Sequence, residues 1–324
     1  MIKIALATAH LLGLKKIKIE DKSLPSTAHF MTTGRCLYNC SFCTQARLSK
    51  QDGQYLSRVV WPEFEKDKIK DILKKNLDKK FKRICLQVTQ SPDYLEKTLE
   101  FIEYIKNISR LPISVSIRLK NLKEIEMLFD KGVNRIGLSL DVVDETDYRK
   151  IKKANYQEFL NFLLKAGKRF PGRITTHLII GFSETEKQVV ELIKKLHENR
   201  ITVSLFAFTP VPGTALAKQK PPLLTKYRRV QLAQFLITSG WQYRFKFNKQ
   251  DELISVGWEK NDLLEKLYKT SLFQTCGCTG CNRPYYNERP GGKLYNYPYK
   301  LSNNEFRQAI EDLNFKNYDK KICL

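Results

Sequence analysis

The sequence predicts an α/β protein built as a full or partial parallel barrel, with a cysteine-containing C-terminal extension. Short β-rich runs alternate with helix-period stretches between residues 27 and 270. The β-rich runs are apolar enough to be buried on both faces, as parallel strands between helices are. The last residues of those runs are polar, and the C-terminal rim of such a barrel is where active sites lie.

Each element follows in order. "MIKIALATAHLLGL" is mildly apolar and runs directly into charged residues without a cleavage site, so residues 1–26 read as an N-terminal helical segment, an amphipathic helix and no signal peptide. Strands are expected at 27–31, 83–88, 113–118, 135–141, 174–180 and 202–208. Helices are expected between them, the clearest at 92–107 and 184–200. A seventh unit is expected from "YRFKFN" (243–248) and the helix at 261–269. Strands and helices in series demand parallel pairing with helical crossovers. Residues 27–270 therefore form the barrel, its rim lined by Gln87, Thr89, Ser116, Arg118, Ser139, Asp141, His177 and Thr209. Residues 271–324 are rich in Gly, Pro, Tyr and Asn and should be irregular apart from a helix at 302–313. Such a segment needs a staple, and its cysteines are the expected one.

The chain of 324 residues is long enough for one large barrel or two medium domains, and 42% hydrophobic with 28% charged residues describes an ordinary soluble chain. No apolar run approaches the roughly 20 residues of a membrane span, so a cytoplasmic protein is expected. Eight cysteines in a reducing compartment point to metal or redox chemistry rather than disulfides. Lys and Arg number 57 against 34 Asp and Glu, a net charge of +23. That field would attract nucleic acid or an acidic protein, unless it only reflects a Lys-rich surface.

Two cysteine groups carry the chemistry. "TTGRCLYNCSFCTQAR" (32–47) places Cys36, Cys40 and Cys43 on one loop after the first barrel strand. A closed zinc site takes four ligands; three thiolates leave a metal position open. Soft thiolates select iron–sulfur clusters or zinc. The second group, Cys276, Cys278 and Cys281, lies in the extension, with Cys323 as a possible fourth ligand. A structural zinc site remains an alternative there.

The C-x₃-C-x-Phe-C loop, with Phe42 before the last cysteine, resembles that of the radical S-adenosylmethionine (SAM) superfamily. The resemblance implies a [4Fe–4S] cluster on Cys36, Cys40 and Cys43 whose open iron chelates SAM. An electron from the cluster then yields a 5′-deoxyadenosyl radical. "TGRCLYNCSFCTQ" is similar to the loop of biotin synthase. "LSLDVVDE" (138–145) resembles the strand with which that family holds SAM, putting Ser139 and Asp141 at SAM, with Ser116, Arg118 and Phe42 on the same rim. "IIGFSET" (179–185) and "PVPGTAL" (210–216) resemble its glycine turns.

Biotin synthase holds a second cluster with cysteines on three strands. Here Cys85 matches one, while Ser114 or Ser116 and Thr175 occupy the others, so Cys85 reads as a small buried residue. The tail resembles the two-protein, archaeal-type lipoyl synthases; the N-terminal C-x₄-C-x₅-C motif and the Arg-Ser-Ser-Tyr tail of bacterial lipoyl synthase are missing. This implies a second, auxiliary [4Fe–4S] cluster on the tail cysteines, with Arg283 and Arg289 to steer a carboxylate or sulfide. It also implies sulfur insertion into an octanoyl chain on a lipoyl domain or glycine-cleavage H protein, a paralogous partner, and an electron donor. Two rivals are a radical SAM enzyme modifying tRNA, as in methylthiolation, and a basic zinc-binding RNA adaptor without catalysis.

Overall fold

A computed structural model describes residues 1–19, 21–288 and 291–315. Among the described residues the strands are β1 Ile2–Ile4, β2 Thr27–Met31, β3 Tyr55–Leu56, β4 Val59–Val60, β5 Glu63–Phe64, β6 Arg83–Gln87, β7 Ile113–Ser116, β8 Arg135–Gly137, β9 Ile174–Ile180, β10 Thr202–Ala207, β11 Lys246–Phe247 and β12 Leu253–Ser255. The helices are α1 Leu6–Leu11, α2 Lys66–Lys80, α3 Tyr94–Lys106, α4 Leu122–Asp130, α5 Glu145–Lys152, α6 Tyr156–Arg169, α7 Glu186–Glu198, α8 Leu224–Ser239, α9 Lys260–Leu267 and α10 Asn303–Glu311.

The main sheet runs β10-β9-β8-β7-β6-β2-β1-β5. From β2 through β6, β7, β8 and β9 to β10 every pairing is parallel, as the strand–helix alternation requires. Since β10 and β5 are its two edges, the sheet is a partial barrel. Ile84, Leu86, Val115, Ile136 and Leu178 face outward into one core with helix residues such as Phe101, Ile105, Leu128, Leu163 and Ile193. Local signals agree with this packing. Thr185 and Gln188 form a capping box at the start of α7, and Ser302 and Glu305 do the same for α10.

Two expectations are corrected. The N-terminal segment begins as a strand: β1 pairs antiparallel with β2 and β5, and only then does the short α1 follow. Ile2, Lys3 and Ile4 are all buried, as befits a strand held between β2 and β5. The seventh barrel unit does not form; β11 pairs antiparallel with β12 as a separate hairpin. A short register shift within that pairing, and Tyr243 stacked on Phe245 at 4.3 Å, replace the barrel contacts.

Buried polar side chains also organise the tail. Arg228 of α8 donates to the Leu294 and Tyr295 carbonyls at 2.5 Å each, and its guanidinium lies over Phe273 and Tyr297. A buried cation is costly unless its donors are used, so these bonds fix the loop. The Glu288 carboxylate accepts the Tyr295 and Asn296 N–H groups at 3.0 and 2.9 Å.

The tail then straps the open side of the barrel. Asn287 donates to the Ala207 carbonyl of β10 (2.9 Å), and its own carbonyl accepts from Thr209 (3.2 Å). At the other edge Ser57, between β3 and β4, donates to the Tyr286 carbonyl at 3.1 Å.

Candidate active site

Alternate residues of the parallel strands point inward, and here they are polar: His29 on β2, Cys85 and Gln87 on β6, Ser114 and Ser116 on β7, His177 on β9 and Ser204 on β10. They line a cavity of about 300 Å³ inside the barrel. Cys40, Phe42 and Cys43 border it at the C-terminal rim, and Cys278 and Cys281 border it from the tail. Both cysteine groups of the sequence therefore meet a single cavity.

The rim loop is tied down on several sides. Leu37 donates its N–H to Gln90 O (2.8 Å), Ser41 to Ile151 O (2.9 Å), and Cys43 to Cys40 O (3.0 Å). The Gln45 side chain donates to Gly53 O (2.8 Å) and Tyr55 O (2.6 Å). Gly34 turns the chain into the loop at φ +109°, where a Cβ would press on Ser91 at 3.2 Å. Burial pushes the Cys43 thiol up to about 12, with the neighbouring Cys40 and Cys36 adding to the effect. Burial likewise raises Cys40, with Lys152 opposing it. Cys40 and Cys43, which resist ionising alone, suit a metal group whose positive charge stabilises thiolate.

Asp141 lies beside this loop. Its backbone is left-handed (φ +65°) and held by bonds to β9, His177 O accepting from its N–H (2.8 Å) and its own carbonyl accepting from Ile179 (2.7 Å). A cap role is taken instead by Asp144, which accepts the Asp147 N–H at 3.0 Å at the start of α5. The Asp141 carboxylate forms a buried ion pair with Lys152, whose ammonium also donates to Ser139 O at 3.2 Å. Burial alone would pull Lys152 down, but the Asp141 carboxylate holds it above the usual lysine range. The Ser139 hydroxyl bonds His177 Nδ1 at 3.1 Å. Burial pulls His177 down to about 4, so the ring is neutral. Arg118 stacks on Tyr38 of the rim loop, 4.3 Å from the ring centre, with Phe159 on its flank. Phe42 faces Phe182 of the glycine turn at 6.1 Å. The Glu184 carboxylate shapes that turn by accepting the Gly181 and Phe182 N–H groups at 2.9 and 3.0 Å.

The tail cysteines sit against the N-terminal ends of the strands. Arg83, the first residue of β6, donates to Thr279 O at 3.2 Å, and Ser26, just before β2, donates to Gly280 O at 2.5 Å. Cys278 Sγ is 3.6 Å from Ser114 Oγ, and Cys281 Sγ is 4.0 Å from His29 Nε2. Cys276 is turned to β10, accepting the Leu205 N–H at 3.2 Å. Gly277 has φ +127°, and a Cβ there would also run into Ser204. Arg283 lies over Phe206 at 4.3 Å and donates to Cys276 O at 2.9 Å. Cys323 and Arg289 lie outside the described residues.

Cys85 differs from its expected role as packing. His29 and Ser114 flank it in the β-ladder, and those two side chains meet Cys281 and Cys278. Its thiol shares the cavity wall with theirs. Lys152, His29 and Tyr286 were likewise missed from the sequence. The inward register of "TAHFM" marks His29, whereas nothing local marks Lys152 on a basic helix or Tyr286 in an irregular tail.

An open thiolate triad on a barrel rim is the site of an enzyme that carries a cluster and a chelated small molecule. The family description "Radical SAM superfamily" matches residues 30–207. The chain belongs to the radical SAM superfamily. Among curated proteins it is similar to the biotin synthase of Methanococcus maripaludis strain C6, 27% identical over 276 residues, covering 82% of this chain and 78% of that protein. The biotin synthase of Persephonella marina is 24% identical over 250 residues, covering 76% and 69%. The apicoplast lipoyl synthase of Plasmodium yoelii yoelii is 27% identical over 165 residues, 50% of this chain and 32% of that protein. Among solved structures, HydG, a maturase of the [FeFe]-hydrogenase, superposes with a TM-score of 0.55 at 13% identity, covering 66% of this chain and 50% of HydG. The protein is thus a radical SAM enzyme, with a [4Fe–4S] cluster and SAM as cofactors. No helix among the described residues is long and apolar enough to cross a membrane.

Proposed function

We propose that this enzyme exchanges C–H for C–S bonds on an octanoyl chain carried by a lipoyl domain or glycine-cleavage H protein, as one of a cooperating pair of related proteins. The observation that carries the reading is the single cavity bordered by Cys40 and Cys43 at one end and by Cys278 and Cys281 at the other. When bound, a [4Fe–4S] cluster on Cys36, Cys40 and Cys43 supplies the electron that splits SAM, and an auxiliary cluster on Cys276, Cys278 and Cys281 supplies sulfide.

The chain's own residues do the rest. Asp141 and Ser139 present oxygens to the SAM ribose from the rim, and the ammonium of Lys152 beside them fits a carboxylate. Arg118 and Phe42 flank the loop that holds the first thiols. The tail strap covers part of the inner wall's open side, which limits the access of bulk water to an alkyl radical formed there. In each turnover the 5′-deoxyadenosyl radical would take one hydrogen atom from the chain to give 5′-deoxyadenosine, and the carbon left behind would bond one sulfide, its surplus electron passing to the iron that gave the sulfide up.

The test is anaerobic turnover with an octanoyl-lysyl peptide, reading added sulfur by mass. The peptide gains sulfur if the reading holds; 5′-deoxyadenosine without thiolated peptide contradicts it. The +23 charge also favours a tRNA substrate. Salt-sensitive binding of tRNA with no binding of the octanoylated carrier selects that second reading.

A further inference from the structure

Cys85 lies midway along β6, and its side chain shares the inner wall of the barrel cavity with Cys278 and Cys281. In the ladder it pairs with His29 on one side and Ser114 on the other. His29 Nε2 is 4.0 Å from Cys281 Sγ, and Ser114 Oγ is 3.6 Å from Cys278 Sγ. Neighbouring strands run about 4.8 Å apart, so Cys85 stands between the two side chains that meet the tail thiols. Burial pushes the Cys85 thiol up, and Cys281 and Cys278 are close enough to add to the rise.

Hydrogen-bond donors gather on these sulfurs. Gln87 Nε2 donates to Cys85 Sγ at 3.2 Å, and the Leu205 N–H donates to Cys276 Sγ at 3.2 Å. Ser114 Oγ accepts from Arg83 at 2.8 Å, which turns its own O–H toward Cys278. The Tyr286 hydroxyl is fully buried and has no hydrogen-bond partner among the described residues. Its ionisable neighbours are Cys85, Cys281 and Arg283. A thiol is a weak acceptor, and a buried hydroxyl left unpaired is costly. Donors and a cation converging on sulfur suit a stronger acceptor, metal-bound thiolate or sulfide.

We propose that Cys85 is the fourth thiolate of the tail site. From the barrel wall it closes the group held by Cys276, Cys278 and Cys281, and the Tyr286 hydroxyl donates to that group's sulfur. The assignment rests on the tail-cluster reading given above. The site then joins a strand to the strap: three ligands arrive with the tail, and the fourth stands on β6.

The test isolates the tail site in the full chain with Cys36, Cys40 and Cys43 all replaced by Ala, reconstituted with iron and sulfide and read by iron analysis and EPR. With four thiolates this parent should keep about four irons per chain through mild oxidation. Cys85→Ala leaves one iron without a protein ligand. That iron should be lost on oxidation, leaving about three per chain and the EPR signal of a three-iron cluster. Cys85→Ser, which keeps the size and offers an oxygen ligand, should retain the fourth iron with altered g values on reduction. Tyr286→Phe should keep all its iron and show a lower midpoint potential, because a hydrogen bond to sulfur favours the reduced cluster; an unchanged potential removes the phenol from the site. Cys85→Ala that keeps about four irons and the parent's spectrum overturns the assignment. So does three-iron behaviour in the parent itself, or in Cys323→Ser in place of Cys85→Ala. A parent that binds no iron contradicts the tail-cluster reading itself, and the role of Cys85 falls with it.

Discussion

The two cysteine groups reach one cavity by opposite routes. Cys36, Cys40 and Cys43 sit on one loop whose hydrogen bonds run largely to neighbouring turns. The tail group arrives from the far end of the chain: Cys281 meets His29 across 252 positions and Cys278 meets Ser114 across 164. The first geometry is local, set by spacing. The second depends on Arg228, Glu288 and the strap, so it is a property of the folded whole.

That contrast defines separable losses. Replacing Cys36, Cys40 and Cys43 together by Ala should reduce 5′-deoxyadenosine formation to background while iron at the tail persists, as read by iron analysis and EPR. Replacing Cys276, Cys278 and Cys281 by Ala should leave 5′-deoxyadenosine formation in place and abolish thiolated product. Stoichiometric zinc at the tail, with no iron beyond the first cluster, would recast the tail as structural.

A smaller effect comes from the rim. Lys152→Met strips the partner from a buried carboxylate, and breaking such a pair costs about 3–5 kcal/mol. Adding Asp141→Asn removes the stranded charge and should recover much of that loss in urea unfolding, while SAM binding stays weak. Full SAM affinity in the double variant would remove both residues from the SAM site.

Smaller still is the response to acid. His177 is held by burial at about 4, below the ordinary 6.5. Between those values the unfolded chain binds a proton that the folded chain refuses. Stability therefore falls as pH drops from about 6.5 toward 4, by up to about 1.4 kcal/mol per pH unit. His177→Gln should narrow the difference in Tm between pH 7 and pH 5; an unchanged difference would show that the ring is not buried neutral.

Last comes the surface charge. Attraction of an acidic carrier is screened beyond about 8–10 Å near physiological salt. Carrier affinity should weaken from low to moderate salt, while turnover of saturating octanoyl-lysyl peptide should change far less. Equal salt dependence for both would take the charge out of carrier capture.

The sequence made the parallel strands and the rim loop readable because each rests on local pattern: short β-rich runs alternating with helix-period stretches, and thiols at fixed spacing. It misled at 243–248, where alternation is the same in a hairpin as in a barrel strand. It misled at residues 1–26 because a short apolar run has no strong period. Cys85 became interpretable only when its ladder neighbours were seen to meet Cys278 and Cys281. Lys152 was hidden because a lysine on a basic helix looks solvated until α5 packs it against Asp141.

The central claim is that sulfide held by the tail cysteines' cluster crosses one cavity to a carbon activated at the rim. Enzyme reconstituted with heavy-isotope sulfide, then given SAM, reductant and an octanoyl-lysyl peptide in light medium, tests it most directly. The account predicts peptide carrying the heavy isotope, at no more than one sulfur per tail site, and none from the tail triple-Ala variant. Peptide that gains only light sulfur, or that the tail variant thiolates equally well, would contradict it.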